Sequence, residues 1–406
     1  MQVTGRVPCL MQGAPPFGDG SLVTLADWQD PPYNRWAFQH VRELIPTARI
    51  SRGDAQPWQL LRADRDVTGL RYRSGDRELT IGEMVADSYT DGFLVLHRGA
   101  VVTEQYFNGM TPDRPHLLMS VSKSVTSALA GILVSRGVLD PAAEVTAVVP
   151  ELAGTSFDGA SVRDLLDMRA GTRFDESYDN PEADVRTYER VYLWRPIADD
   201  PVPHDALAYF ATLRNDGPHG GPFRYRSILT DVLAWVVERA AGGRLHELLA
   251  AELWQPMGAE FDAEVTVDGH GNPMADGGIC ATLRDLGRFG MLYLGAGPGD
   301  EPVVPEAWIA DTVRGAEDGP EAFRAGDDPQ GYPPLAHYRS FWWVRDPEVP
   351  FFHASGIYGQ NVFVHVPSQT VVVKLSTWPD ATSQHLLRLT VDGVTALAAA
   401  LSEGSI

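Results

Sequence analysis

Strand-forming runs lie near both ends of this 406-residue chain, while the long stretch between them follows helical periodicity. Residues 93–97 (FLVLH) and 100–107 (AVVTEQYF) are β-rich and joined by Arg98-Gly99, which is a hairpin signal. Residues 341–344 (FWWV), 360–366 (QNVFVHV) and 370–378 (TVVVKLSTW) are further strand candidates. Between these groups, residues 120–135 are rich in Ala, Leu and Val and close on Gly137 as a helix does. Residues 206–213, 229–239 and 245–253 are also helix-like. Ser161 with Asp164, and Thr282 with Asp285, are capping-box patterns that open helices, the second running through Tyr293. Helices are predicted over 36–44 (WAFQHVREL) and, as an amphipathic element, over 386–401. Strands near both ends with helices between them suggest one sheet built from both ends of the chain. The expectation is therefore an α+β fold of the α/β sandwich type, an antiparallel sheet flanked by helices plus an inserted helical lobe. The sheet lobe takes residues 1–115 and 265–406 and the helical lobe takes 116–264, with the active site in the cleft between them.

A net charge of -21 argues against nucleic acid or an anionic membrane surface as partner. With only Cys9 and Cys280, at most one disulfide can form, and no Cys/His grouping has structural zinc spacing. Neither a Walker-A sequence nor a G-x-G-x-x-G after a strand occurs, so no metal or organic cofactor is expected. The first twenty residues contain no apolar signal-peptide core, and nowhere do 18 apolar residues run together. A cytoplasmic protein is the expectation. Of the 33 basic residues only two are Lys, Lys123 and Lys374; the others are Arg.

Lys123 falls in His116-LLM-Ser120-Val121-Ser122-Lys123-Ser124, an S-x-x-K at the start of a predicted helix. Residues three apart share a helix face, so the Ser120 hydroxyl and the Lys123 amine can meet. A serine hydroxyl becomes a useful nucleophile when a base takes its proton, and a lysine does so when burial or another cation lowers its pKa. Arg stays protonated and cannot serve, which gives Lys123 a chemical reason for not being Arg. Taken alone, the four-residue pattern equally fits a helix-capping Ser120 and a Lys123 reaching solvent. Ser120 would also sit at the positive end of its helix, where developing negative charge is favoured.

Five segments, residues 32–38 (PYNRWAF), 117–124 (LLMSVSKS), 230–239 (TDVLAWVVER), 358–361 (YGQN) and 372–380 (VVKLSTWPD), carry a wider similarity. In them the chain resembles the 6-aminohexanoate-dimer hydrolases, a class C-like branch of the serine β-lactamase and penicillin-recognising superfamily, in which S-x-x-K supplies the nucleophile. The resemblance implies a β-lactamase/transpeptidase-like fold and a homodimer. It also implies a ping-pong route in which Ser120 attacks a small linear amide or ester. Tyr225, in FRYRS, matches the tyrosine that relays protons with Lys123, and Tyr178 matches one that hydrogen-bonds the scissile amide. Ala354-Ser355-Gly356 falls at the superfamily's third motif, so Ser355 and Gly356 would face substrate and the N–H of Ile357 would join that of Ser120 as oxyanion hole. Glu189 and Asp276 fall at substrate-contacting positions where relatives carry Asp or Gly, and Asn or His. An acidic Glu189 could pair with a substrate ammonium; as a bare residue it reads equally as a solvated carboxylate.

Two departures count against β-lactam or peptidoglycan chemistry. Ser227 stands where the second motif often has Asn, and the third motif lacks its Lys. The competing readings are a short-chain carboxylesterase, which needs the same acylation step, and a non-catalytic binding module, which has no use for the Ser120, Lys123, Tyr225 and Tyr178 set. A Ser-His-Asp triad lacks its G-x-S-x-G elbow. His116, leading into the helix, and His353, on a strand, read as structural.

Overall fold

The computed structural model describes residues 10–18, 20–197, 202–326 and 331–406. Its main feature is an eight-stranded sheet drawn from both ends of the chain. In chain order the strands are β1 (Leu61–Arg62), β2 (Thr90–His97), β3 (Ala100–Tyr106), β4 (His337–Arg339), β5 (Trp342–Asp346), β6 (Phe351–Gly356), β7 (Gln360–His365) and β8 (Thr370–Ser376). Their spatial order is β4-β5-β6-β7-β8-β2-β3-β1. All neighbours are antiparallel except the two-residue β1, which pairs parallel to β3 at one edge. The hairpin read at 93–107 is the β2–β3 pair, and it joins the C-terminal strands through β8, where Lys374 lies opposite Phe93.

Strand β2 is central and buried along its whole length, and its alternation explains the layers. Leu94 and Leu96 enter the larger core, whereas Phe93 and Val95 point into a second core on the other face. That second core is completed by Leu389, Val394, Leu397 and Leu401 of the last helix, Gln384–Glu403, whose first turn is capped by Ser383. On the opposite face lies Leu283–Leu292, capped by Thr282. Gly287 and Gly290 let this helix sit flush on the sheet: a Cβ would meet Leu94 Cδ2 at 2.6 Å and Val371 Cγ1 at 2.5 Å.

Helix α1 (Val121–Ser135) is buried over Val121–Leu133, and Gly131 admits the Trp308 ring beside it. Helix α2 is Ile228–Ala241, and Ser161 opens Val162–Leu166 with the full capping box. A four-stranded sheet joins Thr47–Ile50, Ala263–Thr266, Ile279–Ala281 and His116–Leu117.

Two expectations are corrected. The helix read at 36–44 is broken into Asn34–Ala37 and a 3-10 turn, Val41–Glu43. His40 causes the break: its Nδ1 lies 2.7 Å from the Trp36 carbonyl oxygen, its ring stacks on Trp36 at 4.2 Å, and the Phe38 carbonyl turns to accept from Leu117 N. Residues 245–253 form Leu245–Leu249 followed by a π-helical turn, Ala250–Trp254. Cys280 is a buried free thiol, and Cys9 lies outside the described residues. Among the described residues no helix is long and apolar enough to cross a membrane.

Candidate active site

Ser120 is the N-cap of α1, half-buried at the floor of a cavity. The residue before it, Met119, has φ of 47°, a left-handed conformation that a side-chain-bearing residue holds only when packing over-determines it. Lys123, one helical turn on, is 1% exposed. Its Nζ donates to Ser120 Oγ at 2.9 Å and to the Asp276 carbonyl at 2.8 Å, and lies 3.8 Å from Asp276 Oδ2. The same nitrogen is 5.3 Å from the centroid of the Tyr225 ring, which stacks on Trp343 at 5.7 Å. Sequence spacing placed Ser120 beside Lys123; the resemblance alone brought in Tyr225.

The charge state differs from the sequence expectation. Burial does push the Lys123 amine toward neutrality, but Tyr225, Asp276, Glu176 and Asp231 outweigh it and hold its pKa above the ordinary lysine range. Burial likewise raises the Tyr225 phenol, opposed by the Lys123 charge and by hydrogen bonds with Ser120 and Lys123. At rest the site therefore holds an ammonium and a phenol. One proton must leave that pair before Ser120 can pass its own proton on.

Gly356, at the end of β6, fixes the other wall. A Cβ there would meet Leu118 O at 2.7 Å and Ser120 N at 2.9 Å, so only glycine lets the strand end press against the backbone of the nucleophile. Ser355, Gly356 and Ile357 line the same cavity as Ser120. Beyond them the chain turns through Tyr358 at φ 59° and Gly359 at φ 91°, where a Cβ would strike the Trp378 ring at 2.3 Å.

Tyr178 is on the facing loop and donates from its hydroxyl to Glu176 Oε1 at 2.7 Å. Burial, then the Glu176 charge, pushes this phenol well above the ordinary range, so it is a proton donor at any physiological pH. Glu176 also accepts from the N–H of Ser227 at 2.6 Å and from its hydroxyl. It ties the Tyr178 loop to the start of α2, a role that no spacing in the sequence signals. The cavity, about 250 Å³, has Tyr332, Trp343, Trp378 and Leu387 among its apolar lining residues. That room suits a short aliphatic chain and excludes a folded polypeptide.

Two residues read as substrate contacts are not on the cavity wall. Glu189 is not a solvated carboxylate. It is 4% exposed, and it accepts from Arg186 at 2.9 Å, from Arg195, and from Gln29 at 3.3 Å. Asp276 is 6% exposed and faces Lys123 instead. His116 bonds Asp91 at 3.2 Å, while His353, buried on β6, stacks on Phe363 at 5.2 Å. Among the described residues, His204, Asp205 and His270 have metal-ligating spacing, within 4.8 Å of one another, and none of them lines the Ser120 cavity.

A serine with a lysine one turn on, a tyrosine beside them and a glycine-ended strand opposite is the arrangement of a serine hydrolase of the penicillin-recognising type. The Beta-lactamase family model matches residues 81–395, and the chain belongs to that family. A 6-aminohexanoate-dimer hydrolase of Paenarthrobacter ureafaciens is 39% identical over 391 residues, 94% of each chain. Among solved structures, a Bacillus anthracis protein provisionally assigned as a 6-aminohexanoate-dimer hydrolase superposes with a TM-score of 0.86 at 24% identity, over 95% of this chain and 99% of that one. A class C beta lactamase from Rhodobacter sphaeroides gives 0.55 at 16% identity over 78% of this chain and 97% of that one. A family VIII carboxylesterase gives 0.55 at 14% identity over 77% and 93%.

Proposed function

We propose that this chain hydrolyses the amide of 6-aminohexanoate linear dimer, or of a related small linear amide, through an acyl-enzyme on Ser120. The observation that carries the reading is the 2.9 Å contact from Lys123 Nζ to Ser120 Oγ at the floor of an apolar cavity. In the proposed route Ser120 Oγ bonds to the carbonyl carbon, and the oxyanion rests between the N–H groups of Ser120 and Ile357. The Ser120 proton passes through Tyr225 and Lys123 to the amide nitrogen as the C–N bond breaks, with the Tyr178 hydroxyl placed to hydrogen-bond the scissile amide. After the amine leaves, the same pair takes a proton from water, which attacks the acyl carbon and releases the acid. A short-chain ester would follow the same path with less need for leaving-group protonation, so esterase activity is the second reading. Ser355 and Gly356 contact the acyl group in this scheme, while the buried partners of Glu189 count against its holding a substrate ammonium.

A homodimer and a cytoplasmic location belong to the same proposal, with no nucleic acid, membrane or cofactor involved. Sedimentation of the purified chain tests the first point. The decisive measurement is hydrolysis of aminohexanoate dimer and of a short-chain nitrophenyl ester, side by side, on wild type and Ser120→Ala. Both activities are expected to vanish in the variant. Amide turnover by Ser120→Ala at the wild-type rate would overturn the reading.

A further inference from the structure

Behind Lys123 lie two carboxyl groups that the reaction as described does not use. Asp231 is 2% exposed and Asp276 6% exposed. Asp231 Oδ1 accepts the N–H of Ala275 at 2.6 Å and that of Asp276 at 3.2 Å, so the helix α2 side chain holds the segment that carries the second acid. The remaining oxygens, Asp231 Oδ2 and Asp276 Oδ1, are buried and accept no hydrogen bond, and the Tyr188 hydroxyl, which faces Asp231, is buried and unpaired as well. Two ionised carboxylates have no proton to offer one another; the Tyr188 hydroxyl can serve Asp231 alone, whereas a proton held on the acid pair serves Asp276 as well.

Counting charge leads to the same state. With both acids ionised, like charges would touch in a dry interior, and one of them would take up a proton. With both neutral, the Lys123 ammonium would lose its nearest carboxylate. The other groups facing the pair are Lys123 from α1, Tyr225 and Ser227 from the segment leading into α2, Glu176 from the Tyr178 loop, and Tyr188 and Tyr192 from the helix Asp184–Val191 and its end. Glu176 is already satisfied by Tyr178 and by both donors of Ser227. Burial, followed for Asp231 by the repulsion of Asp276, pushes both acids toward the protonated form, while Lys123 opposes this.

We propose that Asp231 and Asp276 hold one proton between them and act together as the buried counter-charge of Lys123, which makes Asp276 a positioning residue for proton transfer at Ser120. This rests on the serine-hydrolase reading. It goes beyond it in naming what sets the pH at which the Lys123–Tyr225 pair releases its proton.

The test is the pH dependence of covalent labelling of Ser120 by a fluorophosphonate, which needs no knowledge of the natural substrate. Wild type is expected to label faster as pH rises along an acid limb. In Asp276→Asn the nearest anion is gone and Asp231, whose pull on Lys123 is weaker, cannot replace it. The limb should move down by about one pH unit, a roughly tenfold faster rate at a pH on the wild-type limb. In Asp231→Asn the charge settles wholly on Asp276, so the limb should stay or move up. Opposite or unequal movements cannot come from general loosening of the fold. An unmoved limb in Asp276→Asn, or equal downward shifts in both variants, would overturn the proposal. Infrared difference spectra give an independent readout: one protonated carboxyl band in wild type, missing from each variant, is expected, and no such band refutes the shared proton. Absence of labelling at every pH would instead sink the Ser120 nucleophile, leaving the infrared result to judge the acid pair.

Discussion

The chain's two lysines are both buried, yet their surroundings push their pKa values in opposite directions. Lys123 is surrounded by Tyr225, Asp276, Glu176 and Asp231, which keep it an ammonium against the cost of burial. Lys374, on β8, donates to the Ser88 carbonyl at 3.2 Å and to the Ser376 hydroxyl, and lies 5.8 Å from the Trp378 ring. Burial pulls its pKa down to about 7, with only Asp91 opposing. Equal depth thus gives opposite shifts, and the neighbouring acids decide how readily each lysine gives up its proton.

The largest expected effect tests the chemical side of that contrast. Lys123→Arg keeps a cation but removes a group able to give up its proton, so kcat should fall by about a thousandfold. Steady-state kinetics on the ester and the amide check this, and a loss under tenfold would mean that Lys123 only supplies charge.

Next is stability at the other lysine. As pH falls from 10 toward 7, the unfolded chain takes up a proton on Lys374 that the native chain does not, so the native state loses stability over that window. Lys374→Met removes the penalty. Relative to wild type it should gain about 3 kcal/mol between pH 10 and pH 7, read by urea unfolding at both values. A gain that does not depend on pH would show that the buried amine is not neutral in the folded protein.

The smallest effect concerns how far the acids around Lys123 reach. Tyr178, bonded to Glu176, faces the departing nitrogen in the proposed route, and Tyr178→Phe should reduce amide hydrolysis by about tenfold more than ester hydrolysis. Equal losses would confine Tyr178 to lining the cavity.

Much of the frame was legible because it rests on local rules. The hairpin, α1 and the Ser161 and Thr282 caps are set by alternation, spacing and capping chemistry within a few residues. The break after Ala37 was hidden because it depends on a His40 side chain competing for the Trp36 carbonyl and on Leu117 claiming that of Phe38. The site divides the same way. Ser120 and Lys123 are one helical turn apart and could be paired on the page, whereas Asp276 reaches Lys123 across 153 positions and Glu176 reaches Ser227 across 51. No periodicity spans such distances. Glu189 divides likewise: the resemblance carries its position, whereas its pairing with Arg186 and Arg195 is visible only in the fold.

Gly356 has one more consequence. Its bare Cα is where the end of β6 meets the backbone at Leu118 and Ser120, so the clearance between strand end and helix start is a tertiary one that neither element sets alone. Such a clearance is only as stiff as the docking that sets it. Warming that loosens this docking is expected to cost turnover before it costs folded structure, making the enzyme's working range narrower than its melting range.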